Sequence, residues 1–185
     1  LGADRDTSLK IGAGGRAAPR IDFDGRLALL PEPGGDNRLR IGGTAKWTVV
    51  VPARAADAKP LTLTAQAAVL AERSEAVLTD LAVEAGEGTD ALRLAGRGRL
   101  RLRPPSRLEL DLSGRRVDLT GRAAAALLAV PGSGAGLPDW PIAAKLSLGG
   151  LGIGGDEDLT DVVLEGSTEA GRLSVASLTA SGPGR

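Results

Sequence analysis

Between Ala91 and Leu119 leucine occupies the even positions and charge the odd ones. The even set is Leu92, Leu94, Leu100, Leu102, Leu108, Leu110 and Leu112. The odd set is Arg93, Arg97, Arg99, Arg101, Arg103, Arg107, Glu109 and Asp111. Successive side chains of a β-strand point to opposite faces, so this spacing predicts one leucine face and one charged face. Pro104, Pro105 and Ser106 interrupt the run without changing its parity, as a hairpin turn does. Pairing Arg103 with Arg107 would set Leu102 against Leu108 and Leu100 against Leu110. On the reverse face Arg101 would then meet Glu109, and Arg99 would meet Asp111. Burying a leucine is worth roughly 1.5–3 kcal/mol, against about 0–1 kcal/mol for an exposed ion pair. The leucines therefore decide the parity of the hairpin. A slip of one residue would carry them to the arginine side.

The same period of two runs through most of the chain. Ser8–Ile11 is a weak strand signal, and Ile21, Phe23, Leu27 and Leu29 alternate with Asp22, Asp24 and Arg26. After the loop Pro31–Asn37, Arg38–Val51 places Leu39, Ile41, Ala45, Trp47, Val49 and Val51 on one face. At ~3.4 Å per residue that strand would span roughly 40 Å, and Gly42-Gly43 at its middle suggests a bulge. Ala53–Pro60 reads as a loop. Leu61–Ala71 alternates again, Glu72–Glu75 turns the chain, and Val77, Leu81 and Val83 make the next apolar face.

Thr120 is a suitable N-cap for a short helix over 121–130, which Pro131 ends. Pro131–Pro141 is a Pro/Gly-rich linker. Strands resume at Trp140, Ile142, Ala144, Leu146 and Leu148, then over Leu159–Gly166 and Gly171–Ala180. Parity breaks near Gly149-Gly150 and between Val175 and Leu178 predict bulges. The expectation is a single all-β unit over 1–185, mainly an antiparallel meander forming an elongated, curved sheet or groove. Its parts are a first meander plus helix over 1–130, the linker 131–141 and further strands over 142–185.

Composition excludes more chemistry than it suggests. Cys, His and Tyr are absent, which removes disulfides, zinc-finger ligand sets, Cys nucleophiles and His-based general bases. Lys and Arg number 23 against 23 Asp and Glu, so no global field favours nucleic acid. Phe23, Trp47 and Trp140 are too few for base stacking. The chain begins at Leu1, contains no methionine and ends in SGPGR, so it reads as an excerpt of a longer protein. Its longest apolar candidate, Ala123–Val130, is shorter than the ~18 residues a spanning helix needs.

Gly12–Ala17, Gly86–Ala91 and Gly150–Gly155 match a loose G-x-G-x-x-[GA] pattern. None opens an amphipathic helix within a strand–helix–strand unit, so turns are the better reading. No P-loop and no Ser-x-x-Lys motif occurs. Asp156, Glu157, Asp158 and Asp161 have oxygen ligands but not the spacing of an EF-hand, and a solvated turn is preferred. No catalytic set, metal site or cofactor is expected. The arginines at 93, 97, 99, 101 and 103 fit a solvated outer face better than a surface for anionic headgroups. For the apolar face two readings stay open, an ordinary core or a groove that accepts acyl chains.

The segment PSRLELDLSGRRVDLTG, then a short helix, a Pro/Gly linker and WPIAAKLSLGGLGIGGDEDLTDVVLEGSTEAGRLSVASLTASGPG, resembles the C-terminal repeat region of AsmA-like proteins, which are related in type to the TamB-like β-groove proteins. Val117-Asp118-Leu119, Leu159–Leu164 with Asp161-Val162, and Gly171-Arg172-Leu173 stand where that family has its strand motifs. Ala76–Leu102 is similar to its lead-in, and the resemblance covers about residues 44–182. It implies a non-enzymatic periplasmic segment of a bacterial envelope protein, anchored in the inner membrane by a part outside this sequence. It also implies a role in outer-membrane biogenesis and phospholipid movement. On that reading phospholipid is the partner and no nucleic acid is bound. The lipid-facing residues would be Trp47, Val49, Val51, Leu61, Leu63, Leu81 and Val83, with Leu92, Leu94, Leu100, Leu102, Leu108, Leu110 and Leu112. The alternative is a structural β-sandwich or adhesin-like scaffold in which the same face is dry and packed.

Overall fold

The computed structural model describes residues 7–13, 20–31, 37–51, 60–86, 91–118, 141–154, 158–169 and 172–182. Every segment with a period of two becomes a strand. In chain order these are β1 (Thr7–Ala13), β2 (Arg20–Pro31), β3 (Asn37–Val51), β4 (Leu61–Glu72) and β5 (Glu75–Ala85). They continue as β6 (Leu92–Arg101), β7 (Arg107–Asp118), β8 (Ile142–Gly152), β9 (Asp158–Glu169) and β10 (Arg172–Ser181). All ten lie in one open all-β sheet whose spatial order is the chain order, with β1 and β10 at its edges. Among the described residues there is no helix. The helix expected at 121–130 lies outside the described residues, as does the linker 131–141 apart from Pro141.

The sheet is antiparallel throughout except for one step, where β7 and β8 run parallel. The sheet is thus mainly an antiparallel meander, as the alternation predicts, with a single parallel step. Parallel neighbours need a connection of about a dozen residues or more, to return the chain to the end where it began. Residues 119–141 are long enough for that, whereas the two-residue turn Arg73-Ser74 between β4 and β5 permits only a hairpin.

The organising hairpin has the expected parity and a different register. Leu100 pairs with Leu108, Gly98 with Leu110 and Gly96 with Leu112. Arg101 therefore faces Arg107, Arg99 faces Glu109 and Arg97 faces Asp111. The shift is two residues, because β6 ends at Arg101 and Leu102 to Ser106 all belong to the turn. Two prolines supply no N–H to extend the ladder. The Leu102 N–H donates instead to the Ser74 carbonyl at 2.7 Å, prolonging the β5 side. Leu102 is consequently not a strand residue opposite Leu108. The expected Arg99–Asp111 pair is replaced by Arg97–Asp111 at 3.0 Å and Arg99–Glu75 at 2.9 Å, while Arg101 keeps a diagonal contact with Glu109 at 3.8 Å.

Bulges adjust the parity of individual strands. Pairing passes over Gly149 of β8 together with Arg115 of β7 and Asp161 of β9, one residue on each strand, so the register among these three strands is kept while Leu112 and Val117, like Leu148 and Leu151, are all buried. Register shifts fall between Val175 and Ser177 of β10, the other position where the apolar spacing changes, and between Thr179 and Ser181. Another, unanticipated, lies between Leu78 and Leu81 of β5, where Asp80 adopts φ 51°. Ala76 and Leu78 therefore face inward, and Val77, expected on the apolar face, is exposed on the reverse. Gly42-Gly43 forms no bulge. Both pair without a break to Arg26 and Gly25 on one side and to Leu70 and Val69 on the other.

The reason for glycine at that point is close approach. Gly25 and Gly43 are direct cross-strand partners on the apolar face, with the Phe23 ring laid across them. A Cβ at Gly25 would stand 2.7 Å from Phe23 Cζ, and one at Gly43 would stand 2.9 Å from the same atom. An aromatic ring covering cross-strand glycines supplies the apolar contact that the missing side chains do not.

The apolar face holds the core. Val49, Leu63, Leu81, Val83, Leu92, Leu94, Leu112, Val117, Leu148, Leu151 and Val162 form one buried cluster spanning β3 to β9. Leu63 and Val162 are the most deeply buried large side chains. Among the described residues no charged side chain is buried.

Candidate functional site

Tracing pairs from strand to strand puts the apolar residues of all ten strands on one face. Ile11 pairs with Phe23, Ile21 with Trp47, Trp47 with Ala65 and Ala65 with Val83. Val83 pairs with Leu94, and beyond the β6–β7 hairpin Leu112 pairs with Leu146, Leu146 with Leu164 and Leu164 with Leu178. With a strand spacing of ~4.8 Å, the face is roughly 40 Å across.

Its burial is uneven. Of the residues expected to face lipid, Val49, Leu63, Leu81, Val83, Leu92, Leu94 and Leu112 are buried. Trp47, Leu61, Leu100, Leu108 and Leu110 are half-buried. Leu102 is 45% exposed in the hairpin turn, and the Val51 side chain lies outside the described residues. The structure brings the strand members of this set together on one face. It also adds apolar strand residues that were not among those expected to face lipid. Ile11, Ile21, Leu29 and Leu39 on β1–β3, and Val175 and Leu178 on β10, share this face and are 43–56% exposed. The centre is closed and the margins are open. Isolated exposed aliphatics are ordinary, but a set on one face, continuous with a core, is the kind of surface that takes an apolar partner.

The reverse face is charged and largely self-neutralised. Lys10 pairs with Asp24 at 3.0 Å and Lys145 with Glu165 at 3.3 Å, each across a strand pair, and Arg116 of β7 reaches over β8 to Asp158 of β9 at 3.0 Å. Arg40 bonds Glu72 through Nε. Such exposed pairs add about 0–1 kcal/mol each, and charge along the outer face hinders stacking of sheets.

Two features break the uniformity of the apolar side. The Trp47 indole N–H is buried with no hydrogen-bond partner, an arrangement that costs roughly 1–3 kcal/mol unless an acceptor is supplied. At the end of the sheet that carries the β4–β5 and β6–β7 turns, a cavity of 390 Å³ opens between Leu39, Ile41 and Ala71 on one side and Leu102 and Arg103 on the other.

Among the described residues no cluster of Asp or Glu is arranged to hold a metal ion. Asp158 begins β9 and Asp161 sits at its bulge, while residues 155–157 lie outside the described residues. Gly12 and Gly150 of the loose glycine motifs are strand residues, and Gly86 follows β5. Among the described residues no helix is long and apolar enough to cross a membrane. No family model, curated protein or solved structure matches the chain.

Proposed function

We propose that this chain is a non-enzymatic, lipid-binding β-segment of an AsmA-like bacterial envelope protein, acting in the periplasm in the movement of phospholipid during outer-membrane biogenesis. The observation carrying the reading is the one-sided sheet whose apolar face is closed at its centre and open on β1–β3 and β10. Acyl chains would lie along the exposed Ile21, Leu29 and Leu39, beside half-buried Trp47 and Leu61, while headgroups stay in water. Binding of this kind draws on area removed from water, about 25 cal/mol per Å² of apolar surface, and needs few directed bonds. The buried centre favours a second role for the same face as the folding core of a structural scaffold, and the two readings differ in whether the open margin takes a ligand.

Trp47 reports on that margin, because its cross-strand partner Ile21 is 44% exposed. In a Trp140→Phe variant it is the sole tryptophan. Phospholipid brominated on its acyl chains is expected to quench Trp47 emission saturably, with the unbrominated lipid giving no quenching. A folded variant whose emission is unchanged by brominated lipid would leave only the scaffold reading.

A further inference from the structure

The two edges of the sheet are not alike. β1 carries Lys10 at its centre, 3.0 Å from Asp24 on β2, and a charge at mid-strand discourages a further strand from pairing there. β10 has no such guard. Among the described residues it has β9 on one side and no strand on the other, and every residue from Ser174 to Ser181 is exposed. No charged residue stands between Arg172 and Arg185, and no proline before Pro183. The strand has ten residues, so at ~3.3 Å each its free edge offers roughly 33 Å of backbone donors and acceptors.

The pattern of β10 indicates what fits that edge. Through β9 and β8, Val175 lies level with Ala144 and Leu178 with Leu146 on the apolar face, while Ser174, Ser177 and Thr179 lie on the reverse. The register shift at Ala176 makes the order alike from both ends. From Ser174 and from Thr179 the strand runs toward its middle as a hydroxyl on the reverse face, then an aliphatic on the apolar one. Two β10 strands can therefore pair antiparallel about a two-fold axis normal to the sheet, passing between Ala176 and Ser177. Val175 then meets Leu178 of the second copy, and Ser174 meets its Thr179. Aliphatic and hydroxyl pairs of this kind stabilise a sheet, and no charges are opposed. A shift of one residue either way would set Val175 against Ser177 or Thr179, which lie on the reverse face.

We infer that β10 is a homodimer interface, joining two copies of this chain edge to edge in one continuous sheet with both apolar faces on the same side. Val175 and Leu178, 56% and 53% exposed in the single chain, would pack against one another across the axis. Pairing of β10 with β1 of another copy would leave a free edge at each end and grow without closing. The two-fold arrangement closes, and leaves free only the edges that Lys10 guards. This interface is independent of whether the apolar face takes lipid.

Because the chain has no cysteine, paired thiols report the register. Directly opposed Cα atoms of an antiparallel pair lie ~4.5–5.5 Å apart, within the span of a disulfide. Ser174→Cys combined with Thr179→Cys is expected to give a disulfide-linked dimer on mild oxidation. Ser174→Cys combined with Ser181→Cys, offset by two residues, is expected to give little. Sedimentation velocity should show the parent chain as a dimer that dissociates on dilution. Val175→Lys should sediment as a monomer with an unchanged circular dichroism spectrum. A parent chain that is monomeric at every concentration, a dimer that folded Val175→Lys retains, or equal crosslinking of both cysteine pairs would overturn the assignment. Species that grow beyond the dimer would indicate β10–β1 pairing, and would overturn it as well.

Discussion

Leu63→Asp is expected to abolish cooperative folding, while Thr62→Asp, one residue earlier, leaves stability within about 0.5 kcal/mol of the parent. Leu63 is 2% exposed within the buried cluster of the apolar face, and Thr62 is exposed on the reverse. The aspartate at 63 forfeits roughly 1.5–3 kcal/mol of leucine burial and places a carboxylate where the cluster offers no cation or hydrogen-bond donor. Together these approach the ~5–15 kcal/mol that a domain has in total. Urea titration monitored by circular dichroism separates the outcomes. Comparable losses at both positions would mean that β4 has no distinct inner and outer sides.

A second adjacent pair should differ almost as sharply. Gly43→Ala is expected to cost about 1–3 kcal/mol, the usual range for overpacking, because its Cβ would lie 2.5 Å from Gly25 Cα and 2.9 Å from Phe23 Cζ. A backbone neighbour cannot move aside without opening the β2–β3 ladder. Gly42→Ala meets nothing closer than Leu70 Cδ1 at 3.8 Å, and it restricts the unfolded chain, so it should be neutral or stabilise by about 0.4–1 kcal/mol. Thermal melts of the two variants check this. Equal effects would show that the Phe23 ring does not lie against Gly43.

These contrasts explain which parts of the fold alternation could reveal. The face of Leu92, Leu94, Leu108 and Leu112 was legible because moving any of them to the charged side sacrifices more energy than the ion pairs return. The register of the hairpin was not. A slip of two residues preserves parity, so leucine meets leucine in either arrangement, and the choice fell to Pro104, Pro105 and the Leu102–Ser74 backbone bond. Alternation puts Val77 on the wrong face for a related reason. Ala76 and Leu78 carry one parity and Leu81 and Val83 the other, with Thr79-Asp80 absorbing the extra residue. The spacing contained that change, but alanine is a weak marker of a buried face. Gly42-Gly43 could be read from sequence only as a break in the strand, because the close approach to Gly25 depends on which strand lies alongside. The parallel β7–β8 step likewise depends on where a long connection returns.

For the candidate site, the sequence determines which face is apolar and not how far each part of it is covered. Leu94 and Ile21 have equivalent patterns, yet one is 4% exposed near the centre of the sheet and the other 44% exposed toward its margin. Place in the sheet follows from pairing order, which no single strand contains. The cavity at the turn end draws together β3, the β4–β5 turn and the β6–β7 turn, so the residues lining it could not be grouped by spacing.

The absence of cysteine allows a direct test of the shared apolar face. Single cysteines at Leu81, Ala82, Val83, Glu84 and Ala85 of β5, and at Leu92, Arg93, Leu94 and Ala95 of β6, would each be the only thiol in the chain. Under native conditions maleimide should label positions 82, 84, 93 and 95 rapidly and positions 81, 83, 85, 92 and 94 slowly, in keeping with their burial. All nine should react alike in denaturant. Uniform native labelling, or protection recurring every third or fourth residue, would contradict a sheet with one apolar face and one charged face.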